Sequence, residues 1–180
     1  MYLIVGLGNL GFQYENTRHN FGFRVLDLLV GSEAWENKYD SQFLKLDDVI
    51  LAKPQTFMNK SGEAVKEILK FYPTAQLVVV HDELDLPIGA IKIQKNITGA
   101  GHNGVQSIID EIGTKDFIRL RLGIDNPDSR FQIPDSDAFV LQKFTPAEEV
   151  IVKEVLAKTK DAIETLQTQG LEMAQSKFNG

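Results

Sequence analysis

Short apolar runs recur along the chain, and segments with helical spacing lie between them. "YLIV" (Tyr2 to Val5), "FLKL" (Phe43 to Leu46), "VILA" (Val49 to Ala52), "LVVV" (Leu77 to Val80), "AIKI" (Ala90 to Ile93) and "FIRLRL" (Phe117 to Leu122) read as strands. "VILA" and "LVVV" are apolar at every position, as buried central strands are. Phe21, Val25, Leu28 and Leu29 fall on one helical face, as do Val65, Ile68 and Leu69, and Val105, Ile108, Ile109 and Ile112. A last helix opens at "TPAE", with Thr145 as N-cap, Pro146 in the first turn and Glu148 completing a capping box. Its apolar face is Ile151, Val155, Ala162, Ile163 and Leu166. Strands alternating with helices predict a layered α/β domain. "GSEAWENKYDS" (Gly31 to Ser41) reads as a surface excursion.

Composition narrows this picture. The 180 residues suit one domain over 1–180, and 43% hydrophobic residues supply its core. There is no cysteine, which removes disulfides, thiolate metal sites and a cysteine nucleophile, and fits a reducing cytoplasm. No apolar run approaches the roughly 18 residues that span a bilayer, so no membrane partner is expected. Met1 leads directly into a strand-like run, so no signal peptide is expected either. A net charge of −6 argues against extensive DNA or RNA binding. A local basic patch survives: Lys92 and Lys95 lie in an acid-free stretch, and Arg119 and Arg121 share one face of a strand.

"GLGNLG" (Gly6, Gly8, Gly11) matches a dinucleotide-binding turn, and its context must agree. The helix should open inside the glycine turn, and an acid should end a second strand about 20 residues later. Here "FQYENTRHN" intervenes, and the nearest acid, Asp27, falls inside the predicted helix. The glycines read instead as a tight turn where backbone passes close to another element.

Polar groups concentrate at four places beside predicted strands. These are Asn9, Tyr14, His19 and Asn20; Phe57, Met58 and Asn59 within "KPQTFMNKSG"; "HDELDLP" (His81 to Pro87); and His102 with Asn103 in "GAGHNG". Without cysteine or a nucleophile-elbow serine, covalent catalysis lacks an agent. The histidines lack the spacing of a metal motif, so no metal is expected. A histidine general base with a carboxylate partner, and asparagines to orient substrate, is the economical arrangement. That describes a hydrolase of an ester or amide. Spacing alone leaves Asp82 and Asp85 open as the partner of His19.

"VGLGNLG..Y..TRHN.GF", "KPQTFMN.SG", "HDELDLP.G", "GHNG..SI" and "RLRLGI" together resemble the bacterial peptidyl-tRNA hydrolases, from Leu3 to at least Phe144. The resemblance implies a single-domain, twisted mixed β-sheet flanked by α-helices, monomeric and without cofactor. It implies hydrolysis of the ester between peptide and tRNA, with His19 as base, Asp82 as its partner, and Asn9, Asn59 and Asn103 binding peptide and positioning water. Tyr14, Phe57 and Met58 would line the substrate groove, with His102 beside it. Arg121 would bind the tRNA phosphate.

The chain departs from the family pattern at several points. Leu10 stands where a proline is usual, and "NITGA" is poor in glycine for the loop over the groove. Gln94 holds the phosphate-clamp lysine position, with Lys92 and Lys95 on either side and Lys95 the expected substitute. The segment from Gly31 to Phe43 is short. Two other readings are a catalytically weak RNA-binding protein on the same fold and a small-molecule esterase or amidase.

Overall fold

Seven strands form one mixed sheet in a computed structural model that describes residues 1–133 and 135–180. In chain order they are β1 (Tyr2–Gly6), β2 (Glu36–Lys38), β3 (Ser41–Lys45), β4 (Val49–Pro54), β5 (Gln76–Pro87), β6 (Ile91–Lys95) and β7 (Ile118–Asp125). Their spatial order is β2-β3-β4-β1-β5-β7-β6. The four central strands run parallel, and β2, β3 and β6 add antiparallel edges. Alternation along the central strands feeds two cores. Ile4, Val78, Val80, Leu120 and Leu122 pack on α1 (Phe21–Val30) and α6 (Pro146–Gln169). Leu3, Val5 and Val79 pack on α2 (Ser61–Phe71) and α3 (Asn103–Ile112).

The glycine turn after β1 has a steric cause. A Cβ at Gly6 would lie 2.4 Å from the Gly22 carbonyl oxygen, and one at Gly8 would lie 2.6 Å from the Phe23 ring. The start of α1 therefore sits directly on the end of β1, which brings the residues before α1 to the strand ends where α/β sites form.

Two expectations need correction. The strand predicted at "LVVV" does not end at Val80: β5 continues through "HDELDLP" to Pro87 because β7 pairs with it through Asp82↔Leu122 and Glu83↔Gly123. The segment Gly31 to Ser41 lies at the surface as expected, and there β2 and β3 form an edge hairpin whose turn residues Tyr39 and Asp40 both have positive φ. That is the geometry of a type I′ turn, which Asn-Gly would have announced and Tyr-Asp does not. Leu28 and Ile151 are exposed, and α1 buries Phe21, Val25, Leu26 and Val30 instead. Short helices α4 (Pro127–Gln132) and α5 (Ser136–Val140) were not expected, nor was α7 (Leu171–Phe178) after the Gly170 break. Among the described residues, no helix is long and apolar enough to cross a membrane.

Candidate active site

His19 lies on a 3-10 turn, Arg18–Asn20, that runs straight into α1. Arg18 fixes this turn from below. Its guanidinium is 2% exposed and meets both carboxylate oxygens of Glu148, at 2.9 and 2.7 Å. It also donates to the Lys143 carbonyl at 2.6 Å and lies over the Phe139 ring. Glu148 completes the predicted capping box at Thr145 and accepts further bonds from Asn126 and Ser129. One carboxylate thus caps α6 and anchors the turn that carries His19.

Asp82 is the carboxylate that reaches His19. Both of its oxygens lie 3.0 Å from His19 Nδ1. Asp85 lines the same cleft without bonding His19. His102 Nε2 also lies 3.0 Å from Asp82 Oδ1. The tautomers follow from the neighbours. His102 is the N-cap of α3, and its Nδ1 accepts from Val105 N–H at 3.3 Å, so its proton sits on Nε2 and points at Asp82. His19 likewise donates Nδ1–H to Asp82, which leaves Nε2 as its basic nitrogen.

The electrostatics agree with this arrangement. Burial disfavours the Asp82 carboxylate, but His19 and His102 outweigh it and hold the carboxyl well below the usual range. Burial likewise disfavours charge on His19, and Asp82 reverses this, with help from Asp137, so its pKa is raised above 6.5. His81 behaves differently. Fully buried and beside His102, it is pushed well below 6.5, and it donates Nδ1–H to the Asp82 carbonyl at 2.7 Å.

Asn9 stands opposite this triad. Its Oδ1 accepts from Met58 N–H at 2.8 Å, and its Nδ2 has no partner among the described residues. Phe57 presents that Met58 amide with φ +61, a strained backbone of the kind that clusters at functional sites. Asn20, one of the polar residues singled out after the first strand, holds the backbone of Asn9.

Two clefts meet at His19. One, of about 270 Å³, includes Asp82, Glu83, Asp85, His102, Asn103 and Asp137. The other, of about 400 Å³, includes Asn9, Phe57, Met58, Asn59, Asn103 and Asp137. Tyr14 lines neither cleft; it accepts two bonds from Thr17 at its carbonyl and braces the turn before His19.

The basic residues separate. Arg121 donates Nε–H to Glu83 at 2.8 Å and bonds Gln94 through Nη1. Lys92 is directly opposite Arg121 in the β6–β7 register and shares its face. Lys95, the expected substitute, is on the other face and pairs with Asp116 at 3.2 Å. Arg119 is buried and bonds the Thr98 carbonyl of the loop before His102.

Comparison with known proteins is consistent along the whole chain. A family model described as Peptidyl-tRNA hydrolase matches residues 3–180. A peptidyl-tRNA hydrolase of Bdellovibrio bacteriovorus is 42% identical, covering 99% of this chain and 100% of the relative. One of Chloroflexus aggregans is 38% identical, covering 99% of each. The crystal structure of peptidyl-tRNA hydrolase from Acinetobacter baumannii superposes with a TM-score of 0.83 at 29% identity, covering 99% of this chain and 96% of that one. With its seven-stranded mixed sheet and the His19–Asp82 pair at the strand ends, the chain belongs to the peptidyl-tRNA hydrolase family.

Proposed function

We propose that the chain hydrolyses the ester joining peptide to tRNA in peptidyl-tRNA, recycling tRNA from prematurely released chains, with His19 as general base. The observation that carries this is the pair of 3.0 Å contacts between Asp82 and His19 Nδ1, which leave Nε2 free to act. His19 Nε2 takes a proton from water, and the hydroxide oxygen attacks the ester carbonyl. Asp82 holds the imidazole in one tautomer and balances the imidazolium. The side-chain Nδ2 groups of Asn9, Asn59 and Asn103, without a partner among the described residues, line the groove as donors to the peptide and to the developing oxyanion. The ribose oxygen leaves with the proton from Nε2. Phe57, Met58 and His102 border the groove, and Arg121 with Lys92 contacts tRNA phosphate. The enzyme works as a cytoplasmic monomer on tRNA rather than DNA, with no cofactor.

The test is release of peptide from N-acyl-aminoacyl-tRNA by wild type and His19→Ala, with and without EDTA. His19→Ala should lower turnover by at least about 100-fold while staying folded, and EDTA should not inhibit. Unchanged turnover would remove His19 from the mechanism. A pure RNA binder would show no release in either form, and a small-molecule esterase would cleave acylated adenosine as fast as acylated tRNA.

A further inference from the structure

We infer that His19, Asp82 and His102 form a binding site for a first-row divalent cation, Zn²⁺ the best fit, and that filling it switches the hydrolase off. One nitrogen of each imidazole and a carboxylate oxygen all lie within 4.8 Å of one another. Each imidazole nitrogen is 3.0 Å from the same Asp82 oxygen. Those two edges are close to the roughly 3.3 Å edge of a tetrahedral site with bonds of about 2.0–2.1 Å, and the third, between the two imidazole nitrogens and within 4.8 Å, closes as the rings turn toward the cation. Two imidazoles and one carboxylate suit zinc, and a fourth position opens on the cleft that all three residues line. Asp85 and Asp137 border that cleft and draw cations toward it, with Arg130 opposing them among its described lining residues; Glu83, also in the lining, is already paired with Arg121.

The chemistry of inhibition is a change of tautomer. The two N–H groups that now bond Asp82 occupy the place a cation would take. When a cation binds His19 Nδ1, the neutral ring carries its proton on Nε2, and Nε2 can no longer accept one from water. His102 is displaced in the same way: its proton moves to Nδ1, and Val105 N–H loses its acceptor at the start of α3. That loss keeps the site weaker than a dedicated structural zinc site, as suits reversible inhibition. The inhibitory half rests on His19 being the base; the binding half does not.

Substrate-free protein titrated with ZnCl₂ by calorimetry should bind one cation per chain. Co²⁺ should give the visible bands of a tetrahedral site. Zn²⁺ should depress peptide release at least about tenfold, reversed by EDTA, and His102→Asn should weaken both binding and inhibition at least about tenfold relative to its own zinc-free rate. No calorimetric binding to wild type, or binding that His102→Asn leaves unchanged, overturns the site. Stoichiometric binding with full activity overturns the inhibitory half alone. If the chain releases no peptide even without zinc, the hydrolase reading fails while calorimetry and the Co²⁺ spectrum still report on the site.

Discussion

Asn20 grips Asn9 by both polar groups of its backbone: its Oδ1 accepts from Asn9 N–H at 2.8 Å and its Nδ2 donates to the Asn9 carbonyl at 2.9 Å. The residue next to His19 thereby fixes the amide that faces it across the groove. Two buried bonds of about 1 kcal/mol each make Asn20→Ala about 2 kcal/mol less stable, lowering Tm by about 4–8 °C. Turnover should fall along with Tm. A lowered Tm with unchanged kcat would make Asn20 purely structural.

On the proposed mechanism the His19–Asp82 pair should set the acid limb of the pH profile. As the base, His19 must be neutral, and despite burial Asp82 raises its pKa above 6.5. Activity should therefore decline as pH falls through a value above 6.5. Asp82→Asn removes the charge that raises it, so the limb should move to lower pH while the plateau drops by at least about 100-fold. A limb that stays in place would mean another group titrates there.

Glu148→Gln should destabilise the fold strongly. It leaves the Arg18 guanidinium, 2% exposed, without its counter-charge. Breaking a buried pair from one side costs about 3–5 kcal/mol. Thermal unfolding should register this as a loss of about 10 °C, and a change under about 2 °C would show that the guanidinium relaxes to water.

His81 makes the fold sensitive to mild acid. Burial and the neighbouring His102 keep it neutral, below its unfolded value of 6.5. Below pH 6.5 the unfolded chain takes up a proton that the folded one refuses, so stability falls as pH drops through that value. His81→Gln should flatten the dependence of urea midpoints between pH 7 and 5, and an unchanged slope would reject the assignment.

Arg121→Ala and Lys92→Ala should raise KM roughly tenfold, the worth of a charged contact, and each should reduce the salt slope of binding by about one. Lys95→Ala should do neither, because Lys95 faces away and is paired with Asp116. Equal effects at Lys92 and Lys95 would mean that tRNA wraps the β6 edge.

What the sequence made legible depended on how local each signal was. The capping box at Thr145 and the glycine contact after β1 rest on neighbouring residues, and both are present. The choice between Asp82 and Asp85 turned on the continuation of β5, which strand pairing with β7 decides and no local pattern reveals. Lys92 and Lys95 differ only in sheet face, so placing either beside Arg121 required the register of β6. The second role of Glu148 joins residues 130 positions apart, beyond the reach of any periodicity.

That same 130-residue span has a consequence for how the enzyme comes into being. The turn that carries His19 is synthesised well before the carboxylate that anchors it. Loop closure over such a distance makes this a late folding event. A growing chain therefore cannot hold His19 in its anchored turn until α6 has emerged and docked.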